Sequence, residues 1–70
     1  MSPAHILAVR IAGAYGLSLD DLTAKSRRRS IVPRVRRIVA LVLNRSGCSH
    51  ARIARVLNRE RSTITHLLRI

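Results

Sequence analysis

The apolar residues of this chain recur at helical spacing along most of its length, and no stretch alternates apolar and polar residues as a half-buried strand would. The sequence offers no covalent or metal staple, because Cys48 is the one cysteine and no Cys/His set has zinc-ligand spacing. The core must therefore come from aliphatic side chains packed between helices. We expect an all-α fold, a small helical bundle of about five helices forming a single domain over residues 1–70.

Capping residues predict where the first three helices begin and end. The first should run over about residues 3–15 after a cap at Ser2, and the second over 19–23 or 24 after a cap at Ser18. The third should start near residue 33 and end at 44 or 45, and its apolar second half marks it as the central buried helix. One stripe of the first helix is formed by Ile6, Val9 and Gly13, with Leu7 and Ile11 beside it.

Positive charge dominates the sequence, with fourteen Lys and Arg against three Asp and Glu and a formal net charge of +11. A chain this basic repels itself unless a polyanion is its partner. A membrane fits poorly, because the longest apolar run, Ile38 to Leu43, is far short of the roughly 20 residues that a span needs, and no Trp or Phe anchor is present. Single-stranded nucleic acid is bound on aromatic platforms, and Tyr15 is the one aromatic residue. Duplex DNA is the partner that remains.

The densest positive charge lies in residues 25–30, which we call the basic segment. It holds Lys25, Arg27, Arg28 and Arg29 and no apolar side chain. One interpretation is a solvated linker between two helices. The other is a loop that lies on DNA and inserts an arginine into a minor groove, where narrow A·T tracts concentrate negative potential.

The last third of the chain has the pattern of two helices joined by a short turn. Ser49 should cap the first of them, and residues 58–60 should form the turn. The inward-facing side chains of the first helix are Ile53, Val56 and Leu57. Those of the second helix are Ile64, Leu67 and Leu68. This is the helix-turn-helix arrangement, in which the second helix reads base edges in the major groove.

The other face of the second helix is polar, with Glu60, Arg61, Ser62, Thr65 and His66 pointing outward. Arg61 has the fork that pairs with guanine, while Glu60 can accept from cytosine or orient Arg61. Ser62 and its neighbour Thr63 are short donors for phosphates or bases. The alternative is a pair of packed helices without a ligand, which the net charge of +11 disfavours.

The sequence shows no arrangement for catalysis or for a cofactor. Asp20 and Asp21 suit the first turn of the second helix, where negative charge meets the helix dipole, better than an acid–base pair. His5, His50 and His66 are too scattered to share a metal, and the sequence has neither a nucleophile–base pair nor a glycine-rich phosphate loop. We expect a protein that is not an enzyme and that needs no cofactor, metal or small-molecule substrate.

Taken together, residues 6–70 resemble the C-terminal DNA-binding domain of the bacterial replication initiator DnaA. Residues 15–22 (YGLSLDDL) look like the family's tyrosine, short turn and leucine helix, and residues 31–34 (IVPR) look like the start of its long helix. Residues 25–29 look like its basic loop, and residues 59–64 (RERSTI) stand where the family has its Arg-Asp-His-Thr-Thr-Val signature. Single residues that match family positions are Ser49, Ile53 and His66.

The resemblance implies roles for these positions. Glu60, Arg61 and Ser62 would touch bases in the major groove, and Thr63 would hold a phosphate. An arginine of the basic segment would enter the minor groove, with Arg27 the best aligned and its two neighbours as alternatives. The starts of the third and fourth helices would hold the DNA backbone. The full set expected to contact DNA is Lys25, Arg27, Arg28, Arg29, Arg34, Ser49, His50, Ala51, Arg59, Glu60, Arg61, Ser62, Thr63, Thr65 and His66.

The sequence also departs from the family pattern. Arg61 replaces the signature histidine and Ser62 the first threonine, so the preferred DNA sequence need not be the initiator's own. Asn58 alone stands where the family has a Gly-Gly turn, and the segment before Pro33 is one residue short. The family's last helix and its nucleotide-binding motor domain are not in the sequence, so ATP-dependent melting of DNA is not expected.

These observations favour a small transcriptional regulator of phage, prophage or gene-transfer type, which acts on double-stranded DNA in the bacterial cytoplasm at the nucleoid. One alternative is the origin-binding domain of a replication initiator. Another is an adaptor that docks RNA polymerase or a replisome protein. A single recognition helix covers few base pairs, so self-association, a tandem site or a protein partner is expected as well.

Overall fold

The computed structural model describes residues 2–24 and 31–69. The described residues form five α-helices and no strand, which confirms the predicted all-α bundle. In chain order the helices are α1 (Pro3–Ala14), α2 (Leu19–Thr23), α3 (Val32–Arg45), α4 (His50–Leu57) and α5 (Arg61–Leu68). The predicted helix boundaries agree with these bounds to within about two residues, the usual uncertainty of a helix end.

Side-chain caps begin three of the helices, as predicted. Ser2 and Ser49 each accept a hydrogen bond from a backbone N–H of the first turn of α1 and α4. At α2 the cap is reciprocal, because Ser18 Oγ accepts from the Asp21 N–H at 3.2 Å while the Asp21 carboxylate accepts from the Ser18 N–H at 2.8 Å. The second of the two adjacent acids is therefore a capping residue, and the interpretation of this pair as structural is supported.

Three helices end on a residue in the left-handed conformation: Gly16 after α1 (φ 71°), Gly47 after α3 (φ 97°) and Asn58 after α4 (φ 53°). In each case the next N–H donates back to a carbonyl in the last turn of the helix, which is the Schellman arrangement. These bonds are Leu17 N to Ala12 O (2.9 Å), Cys48 N to Leu43 O (3.0 Å) and Arg59 N to Ala54 O (2.9 Å). The turns after α1, α3 and α4 are thus fixed by local backbone geometry.

The core lies around α3, which packs on all four of the other helices. Its buried side chains are Val32, Val35, Val39, Ala40 and Leu43. The inward stripe predicted for α4 is confirmed, since Ile53, Val56 and Leu57 are all buried, and so is Ile64 of α5. Leu67 and Leu68 are partly buried against the same core.

The predicted stripe of α1 does not face the core. Ile6 and Val9 remain 45% and 41% exposed, and Gly13 is also exposed. The buried face is formed by Ala4, Ala8 and Ala12, with Leu7 and Ile11 partly buried beside it. The sequence suggested the other face because its apolar side chains, Ile6 and Val9, are larger than alanine. Small side chains let a helix backbone lie close to its neighbours, and this alanine face belongs to the core cluster between α1 and the helices that it contacts, α2, α3 and α4.

The arrangement separates α1 from α5. Helix α1 contacts α2, α3 and α4, and it has no contact with α5. Among the described helices, α5 contacts only α3 and α4 and lies at the edge of the bundle. One side of α5 is therefore not covered by any described helix.

Candidate nucleic-acid interface

Helices α4 and α5 pack together around the turn of residues 58–60 and form the predicted helix-turn-helix. The left-handed Asn58 ends α4, and α5 begins at Arg61. Asparagine tolerates this conformation better than other non-glycine residues, so it can replace a glycine in a turn of this length.

The first turn of α5 contains the longest run of exposed residues in the motif. Residues 60–63 are all exposed, and Ile64 is the first residue of the helix to be buried. Glu60 occupies the N-cap position without a capping hydrogen bond from its side chain, in contrast to the serine caps of α1, α2 and α4. The first N–H groups of α5 therefore have no side-chain partner at the cap, and the polar side chains around them face solvent. Thr65 and His66, further along the helix, are exposed too.

A hydrogen bond connects the start of α4 with the middle of α5. His50 Nδ1 lies 3.0 Å from Thr65 Oγ1, and that hydroxyl also donates to the Arg61 carbonyl at 3.2 Å. Because the hydroxyl proton is used on the carbonyl, the hydroxyl oxygen accepts from His50 Nδ1–H, which leaves Nε2 for another partner. Two parts of the predicted interface are thereby held on the same side of the molecule.

Arg59 differs from the other predicted contact residues, because its guanidinium turns back into the protein. Nη2 donates to the Ala24 carbonyl at 2.7 Å, and Nη1 donates to the carbonyls of Thr23 at 3.1 Å and Asn58 at 3.0 Å. Its side chain is partly buried. A direct contact with DNA stays a prediction for Arg59, while these bonds give it a role within the fold.

A second arginine reaches the same end of α2. Arg36 Nε donates to the Leu22 carbonyl at 3.0 Å. Burial, and then repulsion from Arg59, lower the pKa of Arg36. Carbonyls at a helix C-terminus have no partner within the helix and carry partial negative charge, so they attract cations. Two guanidinium groups therefore converge on three consecutive carbonyls of residues 22–24.

The remaining predicted contacts lie on the surface at separate helix starts. Arg34 is exposed in the first turn of α3, Ser49 and Ala51 are exposed at the start of α4, and His50 is half-buried there. Arg34 makes no hydrogen bond with any other described candidate. Four residues that are predicted to contact DNA lie outside the described residues: Lys25, Arg27, Arg28 and Arg29.

Arg36 was not anticipated from the sequence, although the pattern contains a signal for it. It lies four residues after Val32 and four before Ala40, both buried, so it follows the inward stripe of α3 at helical spacing. An arginine in such a register must find acceptors inside the protein. The carbonyls at the end of α2 are those acceptors.

No protein-family model, curated protein or solved structure matches the chain. The resemblance to the initiator domain therefore depends on the residues that carry it. Among the described helices, none combines the length and the apolar composition needed to cross a membrane. The described part of the chain also has no group of three His, Cys, Asp or Glu residues placed to hold a metal ion.

Proposed function

We propose that this chain binds double-stranded DNA as a small transcriptional regulator, with α5 in the major groove and the basic segment in an adjacent minor groove. The observation that carries the proposal is the exposed first turn of α5, residues 60–63, in a chain of net charge +11. A helix that reads DNA must present its first turn to base edges while its far side packs on a scaffold. Helix α5 meets both requirements.

Packing alone does not account for these residues. Ile64 is the one fully buried side chain of α5, and Leu67 and Leu68 complete its inner face. The outer face carries polar groups of the types that pair with base edges and phosphates, with Arg61 at the first helical position. A helix needed only for stability would gain nothing from this choice of side chains.

A second candidate is the origin-binding part of a replication initiator. It is favoured by one observation, the likeness of residues 59–64 to the initiator signature in a chain that also has the tyrosine and leucine-helix stretch at 15–22. Both candidates use the same surface on the same partner. They differ in the sites that are bound, at promoters in one case and clustered at an origin in the other.

Selection of binding sites from a random duplex library tests the proposal directly. Enrichment of a short consensus is expected, and its affinity should fall with salt at a log-log slope of about −0.9 for each phosphate contacted. Heparin is the matched polyanion control, since it offers charge without bases. Equal binding to heparin and to every duplex, with no consensus, would mean that the chain recognises charge and not base sequence. Tighter binding to an acidic protein than to any duplex would favour the adaptor hypothesis.

A further inference from the structure

One side chain joins the two parts of the molecule that are proposed to touch DNA. Arg59 lies in the turn between α4 and α5, two residues before Arg61, and it holds the carbonyls of Thr23 and Ala24. Ala24 is bonded directly to Lys25, the first residue of the basic segment. The carbonyls that Arg59 holds are therefore the last described backbone groups before that segment.

The choice of arginine at this position is unusual within the molecule. Residue 59 directly follows the left-handed residue of a Schellman cap, where an apolar side chain normally packs back on the helix. The equivalent positions of the other two caps are Leu17, which is buried, and Cys48, which is partly buried against the core. At the cap of α4 this position is Arg59, and its guanidinium contacts the end of α2.

The bonds also bring like charges together. Arg36 and Arg59 repel one another at the end of α2, immediately before a segment that carries four more cations. The partial negative charge of three helix carbonyls offsets part of this repulsion. A DNA backbone nearby would offset more of it, so the arrangement suits a site that works beside phosphates.

We propose that Arg59 is a positioning residue for DNA binding: by holding the carbonyls of Thr23 and Ala24, it fixes the end of α2, to which the basic segment is bonded, relative to α5. The inference rests on the proposed function and deepens it, since the point of attachment of the segment is then set relative to the exposed first turn of α5. A set point of attachment lowers the ordering cost of binding both parts to one duplex. The effect of Arg59 on affinity therefore depends on the basic segment being present.

The first test needs no DNA. Hydrogen exchange is measured in the free protein for wild type, Arg59→Lys and the control Arg55→Lys, an exposed position one turn earlier. Lysine keeps the charge but cannot hold two carbonyls with a planar fork. The Ala24 N–H, which donates to the Asp20 carbonyl at 2.9 Å, should exchange faster in Arg59→Lys, while α5 amides such as Ile64 keep their protection. Unchanged exchange at Ala24 would overturn the proposal.

The second test is a double-mutant cycle on the selected duplex. Arg59→Lys should weaken binding about tenfold in the wild-type background, and less than about twofold when the three arginines of the basic segment are replaced by Gln. Arg55→Lys should have little effect in either background. Equal losses from Arg59→Lys in the two backgrounds would mean that Arg59 acts independently of the segment, and the proposal would be wrong.

A third variant guards against an effect of Arg59→Lys on folding. Insertion of Gly-Gly between Ala24 and Lys25 leaves Arg59 and every charge in place but disconnects the segment from the held carbonyl. It should weaken binding as much as Arg59→Lys does, and full affinity of the insertion variant would refute the inference. Failure of the proposed function has a different signature, because wild type would then bind no duplex selectively while the exchange experiment still gave its result.

Discussion

Replacing Arg61 by Ala tests the reading of bases at the position where the geometry is simplest. Arg61 is the first residue of α5, and its side chain is exposed and makes no hydrogen bond with another described residue. Its backbone carbonyl, which accepts from Thr65, is retained in the variant. Substitutions at exposed sites of this kind change the free energy of unfolding by less than about 0.5 kcal/mol, so any larger effect on binding belongs to the interface.

The expected loss follows from the chemistry of the fork. A two-point contact from Arg to guanine contributes about 1–3 kcal/mol of discrimination, which corresponds to about 5- to 150-fold in affinity. Fluorescence anisotropy with the selected duplex, and with duplexes changed at one base pair at a time, measures it. The variant should lose affinity for the selected duplex and should become indifferent to the base pair that Arg61 reads. Its salt slope should change by no more than about 0.9, the value of one phosphate.

Arg55→Ala is the matched control, since it removes the same charge from an exposed position on α4. It should lower affinity for all duplexes by a similar small factor. If Arg61→Ala lowers affinity for the selected and random duplexes equally, Arg61 contacts phosphate and reads no base. If Arg61→Ala melts at a much lower temperature than Arg55→Ala, the side chain has a structural role that its exposure does not reveal.

Three further sets of substitutions test other features of the molecule. Replacing the three arginines of the basic segment by Gln should flatten the salt slope by up to about 2.7, measured by salt titration, and an unchanged slope would make the segment a linker. Ala8→Leu, at a fully buried site, should lower the free energy of unfolding by about 1–3 kcal/mol in thermal unfolding. Val9→Leu, on the exposed face, should leave it nearly unchanged. A larger loss from Val9→Leu than from Ala8→Leu would mean that the stripe of Ile6 and Val9 faces the core. Asn58→Ala should destabilise the protein by about 1 kcal/mol in urea unfolding, because alanine tolerates a φ of 53° poorly. Asn58→Gly should not destabilise it. Equal effects of the two substitutions would contradict a conformational role for Asn58.

Local signals made most of the fold predictable. Serine caps and the glycines after α1 and α3 act over one turn of chain, so they can be recognised without tertiary information. The inner faces of α4 and α5 were predictable because their large aliphatic residues recur at spacings of three and four. In α1 the same reasoning failed, since a face of alanines is inconspicuous beside Ile6 and Val9. Which face of an apolar helix is buried depends on the shape of its neighbours, which spacing does not encode.

Only the part of the candidate site that depends on local sequence signals could be predicted. Its exposed residues follow from the helix-turn-helix pattern, which places residues 60–63 at the start of the second helix. The hydrogen bond between His50 and Thr65 and the turn of Arg59 toward α2 depend on how separate helices pack. A run of arginines looks alike whether its members face solvent or carbonyls. The bonds of Arg59 to the end of α2 therefore could not be predicted from its place in the sequence.

The bonds of Arg59 also bear on the order in which the molecule forms and opens. The bond to Ala24 spans 35 positions of sequence and the bond to Thr23 spans 36. Each helix cap, in contrast, closes within a single turn of chain. Contacts of such long sequence separation form late, after the helices they connect have assembled. Arg59→Lys should therefore speed unfolding in stopped-flow experiments and leave the folding rate nearly unchanged. The end of α2 can then separate from the turn between α4 and α5 while the helix caps stay closed.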